Sequence, residues 1–125
     1  MRNFKQAKIL VVDDDRGDIK LLKKSLESEY LVQEAQNGLH AKEIIDREHP
    51  DLVLLDVMMP KTSGYTLCAC LKSDSNTKDI PIVMVTGLGT EINEKIGREM
   101  GADGYLVKPI SPEQLHDTIS RLLSE

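Results

Sequence analysis

The chain has 125 residues, 40% hydrophobic and 30% charged, with a formal net charge of −5 and a pI near 5.2. That length fits one domain able to bury a core without disulfide or metal staples. The acidic balance argues against nucleic-acid binding by this chain, which needs a concentrated basic face, and no apolar stretch nears the roughly 18 residues of a membrane span.

The opening "MRNFKQAK" is basic, but the apolar "ILVV" after it is too short for a signal peptide, so a cytoplasmic location is expected. From there, short apolar runs alternate with longer amphipathic ones. "KILVV" (8 to 12) reads as a strand, and Leu21, Leu22, Ser25 and Leu26 as the inner stripe of a helix with lysines on its other face. "YLVQEA" (30 to 35) is a second strand, followed by a helix whose inner residues are Ala41, Ile44 and Ile45. "LVLLD" (52 to 56) is a third, ending before a turn expected at Pro60, and Leu67, Cys68 and Leu71 mark the next helix. "IVMVT" (82 to 86) precedes a helix with Ile92, Ile96 and Met100 inward. "GYLVK" (104 to 108) precedes the last helix, with Leu115, Ile119, Leu122 and Leu123.

Punctuation agrees with this division. Gly38 and Gly64 stand at helix starts, Thr90 is a candidate cap for the fourth helix, and Ser111-Pro112 reads as an N-cap with proline at the first helical position. Gly101 reads as a helix stop. Strict strand–helix alternation implies an α/β fold, a parallel sheet with helices on both faces. Cys68 and Cys70, two apart on a helix, point in different directions and are badly placed to pair or share a metal. Cys68 is expected in the core and Cys70 nearer the surface.

In such a sheet ligands bind at the carboxyl ends of the strands. Those ends carry Asp13, Asp14 and Asp15, then Asp56, Thr86 and Lys108. An aspartate ending a buried strand is costly unless compensated, and converging carboxylates repel unless a cation joins them. Oxygen ligands of this kind suit Mg²⁺. Singly, each signal has a plain explanation: a solvated acidic loop, a turn cap, or an extended residue before proline. Together, at four strand ends, they form a strong signal, and they meet in one pocket if the first, third, fourth and fifth strands are neighbours, an order that periodicity alone does not give.

With "ILVVDDD" (9 to 15), "PDLVLLDVMMP" (50 to 60) followed by Gly64, "IPIVMVTG" (80 to 87) and "GADGYLVKPI" (101 to 110), the chain closely resembles the receiver domains of two-component response regulators. The resemblance covers about residues 6 to 124 and implies a doubly wound five-stranded sheet of order 2-1-3-4-5, the CheY-like, flavodoxin-like three-layer sandwich, as one receiver domain over 1–125. It implies Asp56 as phosphoacceptor. Asp13 and Asp14 would organise Mg²⁺, with Asp56 and the backbone carbonyl of Met58 as further ligands. Thr86 would hydrogen-bond the phosphoryl group and Lys108 pair with it. Tyr105 matches the aromatic switch residue, expected to swing inward as Thr86 moves, and Pro109 a proline whose preceding bond is typically cis.

The function so implied is a phosphorylation-dependent switch, not an enzyme acting on other substrates. It would take its phosphoryl group from a sensor histidine kinase or a phosphotransfer protein and control a downstream protein or fused effector through the face of the fourth helix, fifth strand and fifth helix. No direct nucleic-acid or membrane contact is implied, and the domain would act as a monomer or a phosphorylation-dependent dimer. The end at "LLSE", after the fifth helix, fits either a stand-alone regulator or a receiver from a longer protein. Lys20, Lys23 and Lys24 offer a kinase-docking face or simply a solvated one. Gly97, inside the fourth helix, reads as close packing on the sheet or as a point of flexibility, with packing the favoured of the two. Gly87 departs from the family's commonest alanine. Met58 and Leu88, each two residues beyond a site residue, lack the polar groups that would direct an attacking water.

Other classes fit less well. A small phosphatase with an aspartate nucleophile resembles "DxDxT" after the first strand, whereas "DVMMP" follows the third. A flavin carrier needs a hydroxyl-and-glycine phosphate cradle that "DDDRGD" lacks. A receiver-shaped interaction module that works without phosphorylation is the remaining alternative.

Overall fold

The computed structural model describes residues 6–59 and 61–124; Pro60, expected to start a turn, and residues 1–5 lie outside the described residues. Ten elements alternate along the chain: β1 (Lys8–Val12), α1 (Arg16–Leu26), β2 (Leu31–Ala35), α2 (Gly38–Glu48), β3 (Leu52–Leu55), α3 (Gly64–Ser73), β4 (Ile82–Thr86), α4 (Glu91–Glu99), β5 (Gly104–Val107) and α5 (Pro112–Leu123). The strands form one parallel sheet in the order β2-β1-β3-β4-β5. This is the order that the resemblance implied.

Because successive strand residues face opposite sides, the apolar strands build two cores at once. Leu10, Val12, Val53, Leu55, Ile82 and Met84 pack under α2 and α3. Ile9, Val11, Leu52, Leu54, Val83 and Val85 pack under α1 and α5. The central strands therefore read as unbroken apolar runs, as strands covered on both faces do.

Each helix begins on a side-chain cap. Asp15, Asn37, Ser63, Thr90 and Ser111 accept from the backbone N–H groups of Asp18, His40, Tyr65, Asn93 and Gln114. Gly101 stops α4 with φ +104, where a side chain would be strained.

Two inner stripes differ from those read in the sequence. In α1 the buried residues are Ile19, Leu22 and Leu26, while Leu21 is 68% exposed. The spacing of three and then four residues from Ile19 follows the helical repeat, and the adjacent Leu21 falls about 100° off it. In α4, Ile92 is 71% exposed and Gly97 is the one buried residue. This helix meets the sheet through a glycine, so its isoleucines do not mark its inner face. Cys68 is buried and Cys70 exposed, as expected, and burial pushes the Cys68 thiol up to about 11.

Candidate functional site

The site lies where β1, β3, β4 and β5 end. Asp13 directly follows β1, and its N–H donates to the Ala35 carbonyl at 3.1 Å. Asp56 directly follows β3, with its N–H on the Val12 carbonyl at 2.9 Å. Thr86 is the last residue of β4, and Lys108 follows β5 with its N–H on the Thr86 carbonyl at 2.8 Å. Ladder bonds thus continue one residue past β1, β3 and β5, tying Asp13 to β2, Asp56 to β1 and Lys108 to Thr86.

The side chains converge. Asp13 and Asp56 are 2% and 6% exposed, and Asp14 is exposed. One carboxylate oxygen from each of these three lies within 4.8 Å of the others. Lys108 Nζ donates to Asp13 Oδ2 at 2.7 Å and lies 3.5 Å from Asp56 Oδ2. It also donates to Asp18 Oδ2 at 2.7 Å. Asp18 was not among the residues singled out from the sequence, where it read as one more acid of "DDDRGD". Asp15 leaves the group, because its carboxylate caps α1.

Burial works to push the Lys108 ammonium down, but the bonds to Asp13 and Asp18 outweigh it and raise the group above its ordinary value. Asp13 is also raised, first by burial and further by Asp56, against the bonds from Lys108 and the Asp15 N–H. The two partners do not shift as mirror images. Lys108 gains several carboxylates, whereas Asp13 loses its water and faces a like charge. An oxygen-only donor set with two buried members, short of positive charge, fits a hard divalent cation.

Met58 turns its side chain out, 62% exposed, while its N–H donates to Asp56 Oδ1 at 3.3 Å. Thr86 is buried, its Oγ1 accepting from the Leu88 N–H at 3.3 Å. Tyr105 was expected to swing in on phosphorylation, but its ring is already buried in the core, with its hydroxyl donating to the Leu88 carbonyl at 2.6 Å. The Tyr65 hydroxyl lies 3.4 Å from that of Tyr105 and donates to the Asn93 carbonyl at 2.9 Å. Burial, and then Tyr65, hold the Tyr105 phenol above its ordinary value. The Lys108–Pro109 peptide bond is cis. A β-carbon on Gly87 would meet nothing within 4 Å, so the departure from alanine changes no packing.

Residues 9–120 match the response regulator receiver domain family. The chain belongs to that family. As a receiver domain, it is 47% identical over 119 residues to the "Probable transcriptional regulator ycf27" of Cyanophora paradoxa, covering 94% of this chain and 48% of the relative. It is 41% identical over 118 residues to the DNA-binding dual master transcriptional regulator RpaA of a Synechocystis strain, covering 93% of this chain and 48% of the relative. The receiver therefore spans about half the length of these relatives. Among solved structures, chemotaxis protein CheY4 of Vibrio cholerae superposes with a TM-score of 0.89 at 32% identity, covering 95% of this chain and 100% of that one. Among the described residues no helix is long and apolar enough to cross a membrane.

Proposed function

We propose that this receiver works as a phosphorylation switch in which Asp56 accepts the phosphoryl group. The observation that supports it is the joint geometry of Asp13, Asp14 and Asp56, within 4.8 Å of one another, with Lys108 Nζ 3.5 Å from Asp56. An Asp56 carboxylate oxygen attacks phosphorus as the bond from phosphorus to the donor breaks, and the donor leaves with that electron pair. For a histidine donor the broken bond is phosphorus–nitrogen, and the released imidazole takes a proton from water. The receiver gains an aspartyl-phosphate and turns over no external substrate.

Transfer of this kind asks the protein mainly for position and positive charge. β3 and the apolar cores on either side of it hold Asp56 still. Asp13, Asp14 and Asp56, with the Met58 carbonyl, are the residues that would hold Mg²⁺. When bound, that ion supplies positive charge at the transferring oxygens. Lys108 supplies a second charge, and the Thr86 hydroxyl a hydrogen bond to the phosphoryl group. Thr86 and Tyr105 carry the change to the α4-β5-α5 face.

Under this reading one receiver unit occupies 1–125 in the cytoplasm, its phosphodonor a histidine kinase or phosphotransfer protein. Its output is a downstream protein or a fused effector, the latter in keeping with relatives named as transcriptional regulators. The test is intact mass after incubation with Mg²⁺ and a small acyl phosphate. One phosphoryl group is expected on the unsubstituted chain and none on Asp56→Asn or after chelation. No addition, with Mg²⁺ binding shown separately, would favour an interaction module independent of phosphorylation.

A further inference from the structure

We infer that Asp18 is a positioning residue that tethers the Lys108 ammonium on the α1 side of the pocket, between Asp18 and Asp13, and so holds it back from Asp56, the carboxylate it would otherwise close on in competition with the metal ion. The inference rests on the reading of Asp13, Asp14 and Asp56 as that ion's ligands. Its basis is the sharing of one ammonium: Lys108 Nζ lies 2.7 Å from both Asp13 Oδ2 and Asp18 Oδ2, and 3.5 Å from Asp56 Oδ2.

An ammonium has three donors and no acceptor. Two of them are taken by Asp13 and Asp18, at equal length. Without the Asp18 carboxylate, the remaining ion-pair partners of Nζ among the described residues are Asp13 and Asp56, both members of the metal-holding set. The lysine, which already shares Asp13 with the cation site, would then compete with a divalent cation for Asp56 as well. With Asp18 present, the ammonium is drawn toward the start of α1, still close enough to Asp56 to meet a phosphoryl group.

The local sequence builds this tether. Asp15 caps α1 by accepting from the Asp18 N–H at 3.0 Å, which fixes the Asp18 backbone one turn into the approach to the pocket. An acid in a first helical turn has a simpler use, opposing the positive end of the helix dipole. A carboxylate serving only that end would have no need to reach across to β5. Asp18 instead closes on a lysine 90 residues away in the chain.

The test is an Mg²⁺ titration followed by the backbone amide resonances of residues 56 to 58, which also report whether each variant is folded. Asp18→Asn keeps the shape and removes the charge, and is expected to weaken Mg²⁺ binding roughly three- to fivefold, the scale of one partly exposed ion pair. In a Lys108→Met background the same substitution should cost about twofold or less, the residue of a screened charge. An equal or larger loss in that background would mean that Asp18 acts only as a distant negative charge, and would overturn the tether. So would an unchanged affinity in Asp18→Asn alone.

A second arm needs no ion. In metal-free Asp18→Asn the side-chain carboxylate carbon of Asp56 should shift as the ammonium moves toward it, and an unmoved resonance overturns the proposal. Failure of the unsubstituted chain to bind Mg²⁺ would instead remove the metal reading, with the ion-free arm still deciding where Lys108 is held.

Discussion

The α-carbon of Gly97 on α4 faces the ring of Tyr105 on β5, and a β-carbon there would lie 3.0 Å from both Cδ1 and Cε1. The glycine is what lets the ring lie inside, beneath α4, with its hydroxyl on the Leu88 carbonyl. Gly97→Ala sets about 1 kcal/mol of improved helix propensity against an overpacking cost of about 1–3 kcal/mol. The hydroxyl's bond to the Leu88 carbonyl resists a shift of the ring, so a net loss of about 1 kcal/mol is expected from urea unfolding. Tyr105 should become more accessible to solvent, read as greater quenching of tyrosine fluorescence by iodide. Added stability with an unchanged tyrosine signal would show that α4 moves aside without disturbing the ring.

Gly64 is constrained by backbone instead. A β-carbon on it would run into the Asp56 carbonyl oxygen and lie 2.8 Å from Val57 Cα, while its N–H donates to the Val57 carbonyl at 2.8 Å. Nothing flexible is available to yield. Gly64→Ala is expected to cost about 3 kcal/mol, the upper part of the overpacking range. It should also slow phosphorylation by a small acyl phosphate under conditions where the variant remains folded, because the main chain that must shift is that of Asp56. A stability change under about 1 kcal/mol would show that the β3–α3 turn is softer than this close approach implies.

These two glycines illustrate what could be read in advance. Asp13, Asp56, Thr86 and Lys108 were legible because each ends an apolar run, and a parallel sheet brings such ends together. Gly97 was legible as packing, but its partner was not, since Tyr105 lies on another element. Asp18 was hidden in an acidic run whose members serve separate ends: Asp13 in the pocket, Asp15 as a cap, Asp18 on Lys108. Leu21 and Ile92 misled because adjacent or spaced apolar residues admit more than one helical phase, and contact with the sheet decides among them. The link from Tyr65 to Tyr105, 40 residues on, left no trace in local pattern.

Asp13 carries its charge at a cost. Burial raises its carboxyl above the ordinary aspartate value and Asp56 adds to the rise, more than Lys108 and the Asp15 N–H take back. A carboxyl raised in the folded state favours folding in its protonated form. That contribution is present below the unfolded value near 3.8 and is lost as pH rises through the folded value. Asp13→Asn, measured with a chelator, is therefore expected to stabilise the protein at pH 7. The advantage should shrink as pH falls toward 3.8, seen in urea midpoints across the range. Destabilisation at pH 7 would mean that the lost pair with Lys108 outweighs the relief of burial.

Met58 bears on how long the phosphorylated state lasts. Its thioether is a weak acceptor with no donor, and it stands in solvent two residues beyond Asp56. Leu88, packed against the core that contains Tyr105, contributes an aliphatic side chain two residues beyond Thr86. Neither orients or polarises a water for in-line attack on an aspartyl-phosphate, so self-dephosphorylation is expected to be slow. Met58→Asn and Leu88→Glu should each shorten the lifetime, roughly tenfold together, by positioning that water. The decay of the phosphorylated mass at fixed Mg²⁺ measures it. Met58→Asn is the cleaner arm, since Leu88→Glu also removes a packed side chain and places a charge near Tyr105. Rapid loss of phosphate that neither substitution increases would mean that the water is directed by some other group, and the slow-decay reading would fall.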